Sequence, residues 1–214
     1  MIIRTKQDIE NATFEEAFEL FFERASADRG DGWVSPLCLC RQELQDCFVG
    51  QIVGEDHIFD HPPHRLFASA MVALSGIELM ARMIPPPPKV SSGELFLAFV
   101  AQYSPLAKMK VSDKHARVLL DLRNALSHTF GLYSLDEDGN HQQLFVFSSN
   151  HPEELVRSKE DGGYEVCLEV LVRLFIRMVE AFRVHLWETP ELQRYFMTAF
   201  HKYGRLFQRG PHVA

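Results

Sequence analysis

The stretch from His64 to Ile84 constrains the fold more than any other segment. Within residues 66–84 only Glu78 and Arg82 are charged, and apolar side chains surround the rest of the predicted helix. A helix that is apolar on nearly all sides has to be covered by other elements. Two charges make it a poor membrane span. We therefore predict a central core helix, which small residues allow to pack closely: Ala68, Ser69, Ala70, Ala73, Ser75 and Gly76.

Helical periodicity and capping signals predict the elements around this helix. Four prolines, 85–88, end it in a short rigid turn rather than a domain linker. Ser91 and Glu94 form a capping-box signature, and Ser112 with Asp113 opens the next helix. The predicted helices run from Thr13 to before Asp28, from Pro36 to Val53, from about Ser91 to Tyr103, from Lys114 to Thr129, from Tyr164 to Trp187, and onward from Pro190.

The hydrophobic period changes after Thr129. Residues 130–135 and 143–147 flank an Asp-Gly turn, which predicts a β-hairpin. The predicted fold class is therefore all-α, a bundle of six or seven helices with one small hairpin. We expect a single domain, with an N-terminal helical extension over residues 1–63, a core over 64–187 and a C-terminal helix over 188–214.

Composition excludes two classes of protein. The 17 Phe, 5 Tyr and 2 Trp among 214 residues supply more apolar area than disordered chains contain. A net charge of -7 argues against bulk attraction to nucleic acid. Two segments are nevertheless basic, residues 105–130 by +3 and residues 194–214 by +4. A focused positive site thus remains compatible with the overall acidity.

No strong signal for a metal, a secretory signal or a membrane segment is present in the sequence. The N-terminal residues lack the apolar run of a secretory signal, so we expect a cytoplasmic protein with no membrane partner. No Cys-x-x-Cys pair occurs, which favours free buried thiols over zinc ligands. We predict neither a metal nor a cofactor and expect Cys167 to be a free thiol. A ligand role is the weaker alternative for the other three cysteines and the histidines downstream of them: Cys38, Cys40, Cys47, His57, His61 and His64.

The helix from Val111 to Phe130 has two distinct faces. At about 100° per residue, one face is predicted to meet the core through Val111, His115, Val118, Leu119, Leu122, Ala125 and Leu126. Arg123 and His128 flank a second face, which holds Asn124 and Ser127 and points away from the main core. Leu120 lies in the middle of this second face. It is either a stray surface leucine or part of a contact surface such as a dimer interface.

The run Leu122-Arg123-Asn124-Ala125-Leu126-Ser127-His128 resembles the R-x4-H motif of the higher eukaryotes and prokaryotes nucleotide-binding (HEPN) superfamily. The likeness covers about residues 66–187. It implies an all-helical domain and a metal-independent endoribonuclease, in which two motifs meet at a homodimer interface that would include Leu120. It also implies RNA or a nucleotide as ligand, and a toxin or defence setting with an antitoxin protein as partner.

The motif residues suit RNA cleavage without a metal. Such cleavage needs a base for the ribose 2′-OH, a cation for the phosphorane-like charge and an acid for the leaving oxygen. Histidine titrates near neutral pH, so His128 is the predicted general base or acid. Arg123 offers a fixed cationic fork for phosphate. Asn124 is predicted to hold the substrate or to orient a catalytic group, and Ser127 is predicted to bind substrate by donating a hydrogen bond to phosphate.

Two other interpretations stay open. The chain could be a non-catalytic module of the same fold that binds a nucleotide or a partner protein. The two motif residues could also be structural, with Arg123 paired to Asp121 or Glu94 and His128 capping the last helical turn. No P-loop, dinucleotide fingerprint, zinc-protease or serine-hydrolase motif is present in the sequence.

Overall fold

A computed structural model describes residues 10–22, 33–47, 66–86, 89–129, 132–135, 142–148, 154–160, 162–203 and 207–208. The protein is mainly helical, as predicted, and seven helices lie within these ranges. They are α1 (Phe14–Phe22), α2 (Pro36–Cys47), α3 (Leu66–Ala81), α4 (Ser92–Leu106), α5 (Asp113–Thr129), α6 (Leu168–Glu188) and α7 (Pro190–Tyr203).

Side-chain caps fix the starts of several helices. The Ser91 hydroxyl accepts from the backbone N–H of Glu94, whose carboxylate accepts from the backbone N–H of Ser91, so the predicted capping box is confirmed. Thr13 and Glu16 make the same reciprocal pair at the start of α1. The Ser112 hydroxyl accepts from the backbone N–H of His115, which caps α5 where the sequence predicted.

Helix α3 is the central helix of the bundle, as its apolar sequence predicted. It packs against α2, α4, α5 and α6. Gly76 shows why small residues are needed there. A Cβ atom at this position would lie 2.6 Å from Cζ of Phe175 on α6, closer than any real contact. The absence of a side chain at Gly76 therefore sets how closely α3 and α6 approach.

The β structure is larger than the single hairpin that the sequence predicted. Strands β2 (Tyr133–Leu135) and β3 (Gln142–Ser148) form the expected antiparallel pair. Two further strands, β4 (Val156–Ser158) and β5 (Tyr164–Cys167), complete a four-stranded sheet in the order β2-β3-β5-β4. Strand β5 runs parallel to β3, with Phe145 opposite Tyr164, and antiparallel to β4.

Strand β5 corrects the predicted start of α6. The sequence places the helix start at Tyr164, whereas the chain is extended to Cys167 and the helix begins at Leu168. The backbone N–H and C=O groups of residues 164–167 form hydrogen bonds with strands on both sides. Local periodicity in the sequence does not reveal this pairing. A short pair, β1 (Trp33–Val34) with β6 (Phe207–Gln208), joins two distant parts of the chain.

The buried apolar side chains form one continuous core from Ala12 to Phe200. Helix α1 contributes to an aromatic cluster with α6 and α7, in which six side chains pack through ring contacts: Phe18, Phe21, Phe22, Phe182, Phe196 and Phe200. Among the described residues, no helix is long and apolar enough to cross a bilayer.

Candidate functional site

Helix α5 contains the motif and packs against the core through its apolar face. Val118, Leu119, Leu122, Ala125 and Leu126 are buried, as the periodicity predicted. This packing fixes the rotation of the helix about its axis. The rotation in turn decides where the polar residues between them lie.

Arg123 faces helix α3 instead of open solvent. Its side chain is only 17% exposed, and its guanidinium Nη2 donates to Oε2 of Glu78, which is 13% exposed. This differs from the outward direction that the sequence predicted. The physical reason is that Glu78 needs a cationic partner in an otherwise apolar helix.

One carboxylate holds two guanidinium groups. Oε1 of Glu78 accepts a hydrogen bond of 2.7 Å from Nη2 of Arg82, which directly follows the last residue of α3. Burial raises the pKa of Glu78, but the hydrogen bonds from Arg82 and Arg123 outweigh burial and leave the pKa below its usual range. Glu78 is therefore ionised at neutral pH, and each of its oxygens holds one arginine.

An open cleft lies beside the two ion pairs that Glu78 makes with Arg82 and Arg123. Its volume is about 580 Å³, and it lies where residues of α3, α5 and the end of α7 meet. Helix α7 contributes Lys202 and Tyr203. The Lys202 ammonium lies 4.8 Å from the centre of the Tyr203 ring, and Cζ of Arg82 lies 5.6 Å from it. The ring thus holds two cations at one edge of the cleft.

The other motif residues lie along α5 around Arg123. The Asn124 side chain is half-buried, and its amide oxygen accepts a 2.9 Å hydrogen bond from Nη1 of Arg123. Ser127 is exposed. His128 lies within α5, one turn beyond Asn124, and its side chain is outside the part of the structure that is described. Arg123 and Asn124 are therefore in contact, and Ser127 follows on the next turn.

Leu120 has a contact within the chain. It is half-buried and packs against the core, and its side-chain end lies 3.2 Å from where a Cβ atom on Gly93 of α4 would be. Packing against α4 therefore accounts for part of its burial. Its role in a dimer interface stays a prediction.

The two structural partners suggested for Arg123 are both wrong. Glu94 caps α4 and bonds to Ser91. Burial raises the pKa of Asp121, although the nearby Arg117 lowers it, and the partner of Arg123 is Glu78. The arginine bridges two helices that are distant in sequence.

The cysteines and histidines provide no metal site in the described residues. No group of three or more metal-ligating side chains occurs among them. Cys38, Cys40 and Cys167 are free thiols, as predicted, and burial raises the pKa of Cys40 to about 11. The Cys47 side chain and the segment with His57, His61 and His64 lie outside the described residues.

Sequence reasoning missed four residues of the cleft. The sequence contained a usable signal for Glu78 and Arg82, because a charged side chain on a buried central helix needs a partner of opposite charge. Lys202 and Tyr203 had a weaker signal, the basic C-terminal segment. Nothing in local sequence indicates that this segment meets Arg123.

Comparisons of the chain with protein-family profiles, with curated proteins and with solved structures find no match.

Proposed function

We propose that the protein is a metal-independent endoribonuclease of HEPN type, with Arg123 and His128 as its catalytic residues and a homodimer as its active form. The proposal combines the likeness of residues 122–128 to the R-x4-H motif with the surroundings of Arg123. RNA is the proposed substrate.

The position of Arg123 at an open, cationic cleft is the observation that carries the proposal. Three cations, Arg82, Arg123 and Lys202, line the cleft against one carboxylate, Glu78, which leaves a net charge of +2. A phosphodiester backbone is attracted to such a focused charge even when the whole chain is acidic. The bridge to Glu78 also restricts the guanidinium, so that less entropy is lost when a phosphate binds.

Each motif residue has a role in this proposal. Arg123 stabilises the charge that builds on the phosphorus centre, and His128 moves the proton of the 2′-OH or of the leaving oxygen. Asn124 positions Arg123 through its existing hydrogen bond. Ser127, exposed on the next turn, donates a hydrogen bond to a phosphate oxygen.

Cleavage of RNA in the presence of a chelator tests the activity. We expect Arg123→Ala and His128→Ala to lower the cleavage rate by about 100-fold or more, the usual contribution of a positioned acid-base or charged group. Arg117→Ala and His115→Ala are the matched controls, because they change the same residue types on the same helix outside the motif. Equal rates in the motif variants and the controls would contradict the proposal.

The molecular mass in solution tests the proposed homodimer. Light scattering of the purified protein is expected to give twice the mass of one chain, and Leu120→Arg is expected to shift the protein toward monomer and lower cleavage. A wild-type monomer that cleaves at full rate would contradict the shared site.

One observation favours a second function, a non-catalytic module that binds nucleotides. Glu78 and Asn124 hold Arg123 in a bridge between two helices, which is a structural role. The exposed Lys202, by contrast, can bind a phosphate without any reaction. RNA or nucleotide binding that depends on Arg123, with no cleavage under any condition, would support this second function over the first.

A further inference from the structure

The part of the cleft around Lys202 and Tyr203 lies beyond the motif. These residues end helix α7, whereas Arg123 lies on α5 and Glu78 on α3. The two basic segments of the chain, residues 105–130 and 194–214, therefore each contribute a cation to one cleft. Their distance in sequence makes the meeting a property of the tertiary structure.

The charges in the cleft are not balanced. Glu78 gives one oxygen to each of two arginines, so a single negative charge serves two positive charges. Among the described residues, no carboxylate pairs with Lys202. Lys202 and Arg82 lie at the Tyr203 ring, and Arg82 is 40% exposed. Both cations are thus accessible to a ligand at the same edge.

The size and charge of the cleft favour one class of ligand. A volume of about 580 Å³ lies within the range of small-molecule sites and holds a nucleotide-sized group. A phosphodiester carries one negative charge, whereas a phosphomonoester carries about -2 at neutral pH. The residual charge of +2 counts all three cations of the cleft, Arg82, Arg123 and Lys202, against Glu78, and it matches a phosphomonoester that binds next to Arg123.

We propose that Arg82, Lys202 and Tyr203 form a subsite for a phosphomonoester, the terminal phosphate of an RNA strand or of a mononucleotide, next to Arg123. Lys202 and Arg82 bind the phosphate oxygens, and the Tyr203 ring holds the two cations near each other. The subsite rests on the proposed function for its link to RNA. It selects strands by the chemistry of their ends, a property separate from cleavage.

Binding of a 2′-O-methyl RNA octamer, labelled at an internal position, tests the subsite. This strand cannot be cleaved through its 2′-oxygen, so binding is measured without turnover. Three forms are compared by fluorescence anisotropy: a 5′-phosphate, a 3′-phosphate and hydroxyl groups at both ends. Competition by adenosine monophosphate, against adenosine, shows whether a free mononucleotide also binds.

We expect one phosphorylated form to bind about tenfold more tightly than the hydroxyl form, the usual effect of a charge-assisted contact. Lys202→Glu is expected to abolish that preference. Lys110→Glu makes the same charge change at an exposed position that does not line the cleft, and it is expected to retain the preference. Circular dichroism checks that both variants fold.

Equal affinity for all three strands, or an unchanged preference in Lys202→Glu, would overturn the subsite. The two proposals fail separately. If the wild-type protein cleaves no RNA but prefers phosphorylated ends, the nuclease proposal is wrong and the subsite is supported. Cleavage that depends on Arg123 and His128, with no preference for phosphorylated ends, removes the subsite and keeps the nuclease.

Discussion

The aromatic cluster and the cationic cleft are built from neighbouring residues yet depend on different forces. On α7, Phe196 and Phe200 enter the cluster, whereas Lys202 and Tyr203 line the cleft. On α3, Ile77 is buried in the core, and Glu78 holds the two arginines. A shift of one or two positions along a helix is enough to move from one region to the other, because successive residues point about 100° apart.

The difference shows which region stabilises the protein. In the cluster, apolar rings are removed from water, and this term is large and independent of pH. In the cleft, the interactions are directional, partly exposed to solvent and incompletely balanced in charge. We therefore expect substitutions in the cluster to change the free energy of unfolding, and substitutions in the cleft to change binding more than stability.

The largest effect is expected at Phe182, where the aromatic cluster meets the rings of α4. Phe182 is fully buried and contacts the rings of Phe22, Phe99 and Tyr103. Phe182→Ala should lower the free energy of unfolding by about 3–5 kcal/mol, because the cavity cannot close fully. Urea denaturation measures the change. Val184→Ala is the control on the same helix, at a side chain 53% exposed, and comparable losses in both variants would contradict the picture of a packed cluster.

A smaller loss is expected where α3 meets α6. Gly76→Ala places a methyl group against the fully buried ring of Phe175, and the strain should cost about 1–3 kcal/mol despite the better helix propensity of alanine. Gly93→Ala is the control, because its new methyl group meets the flexible end of Leu120 at 3.2 Å and lies 3.9 Å from the Ser91 hydroxyl, with no buried ring in the way. Thermal unfolding of both variants makes the comparison. A Gly76→Ala protein as stable as the wild type would show that the helices can move apart freely.

The cleft should contribute a modest stability that depends on pH. Glu78→Gln removes the charge shared by two arginines and should lower the free energy of unfolding at pH 7 by about 1–2 kcal/mol, because solvent screens the exposed part of the pair. The folded-state pKa of Glu78 lies below its ordinary value of 4.5. Its stabilisation is therefore complete above the unfolded value and is lost as the pH falls through the folded value.

The difference between wild type and Glu78→Gln should accordingly shrink in acid. Urea denaturation at pH 7 and at successively lower pH values below 4.5 measures it. Arg157→Gln removes an exposed ion pair with Glu154 and is the control, with little effect at either pH. A difference that grows in acid would contradict the assignment of Glu78 as the ionised partner.

The smallest effect on stability is expected at Lys202. This side chain is exposed, so Lys202→Ala should leave the urea midpoint unchanged within error while weakening binding to phosphorylated ligands. Phe200→Ala, two residues earlier on α7, should lower the midpoint clearly, because that ring is buried in the aromatic cluster. If the two variants lower the urea midpoint equally, the cleft and the cluster do not differ in their contribution to stability.

Much of the secondary structure could be predicted because its causes are local. The capping boxes, the start of α7 at Pro190 and the apolar face of α5 follow from side chains within one or two turns. Strands β4 and β5 could not be predicted in this way. Residues 164–167 run without a break into the apolar pattern of α6, and pairing with β3 and β4 makes them a strand.

The sequence by itself determined the helical class, the central position of α3 and the motif from Arg123 to His128. Periodicity, caps and residue types are sufficient for these, because each acts over a few residues. Only the tertiary structure decided that Arg123 pairs with Glu78, and that Lys202 and Tyr203 join it at one cleft. Side chains on α3, α5 and α7 meet only after the apolar faces of those helices have packed, and that packing fixes which polar residues are left to pair.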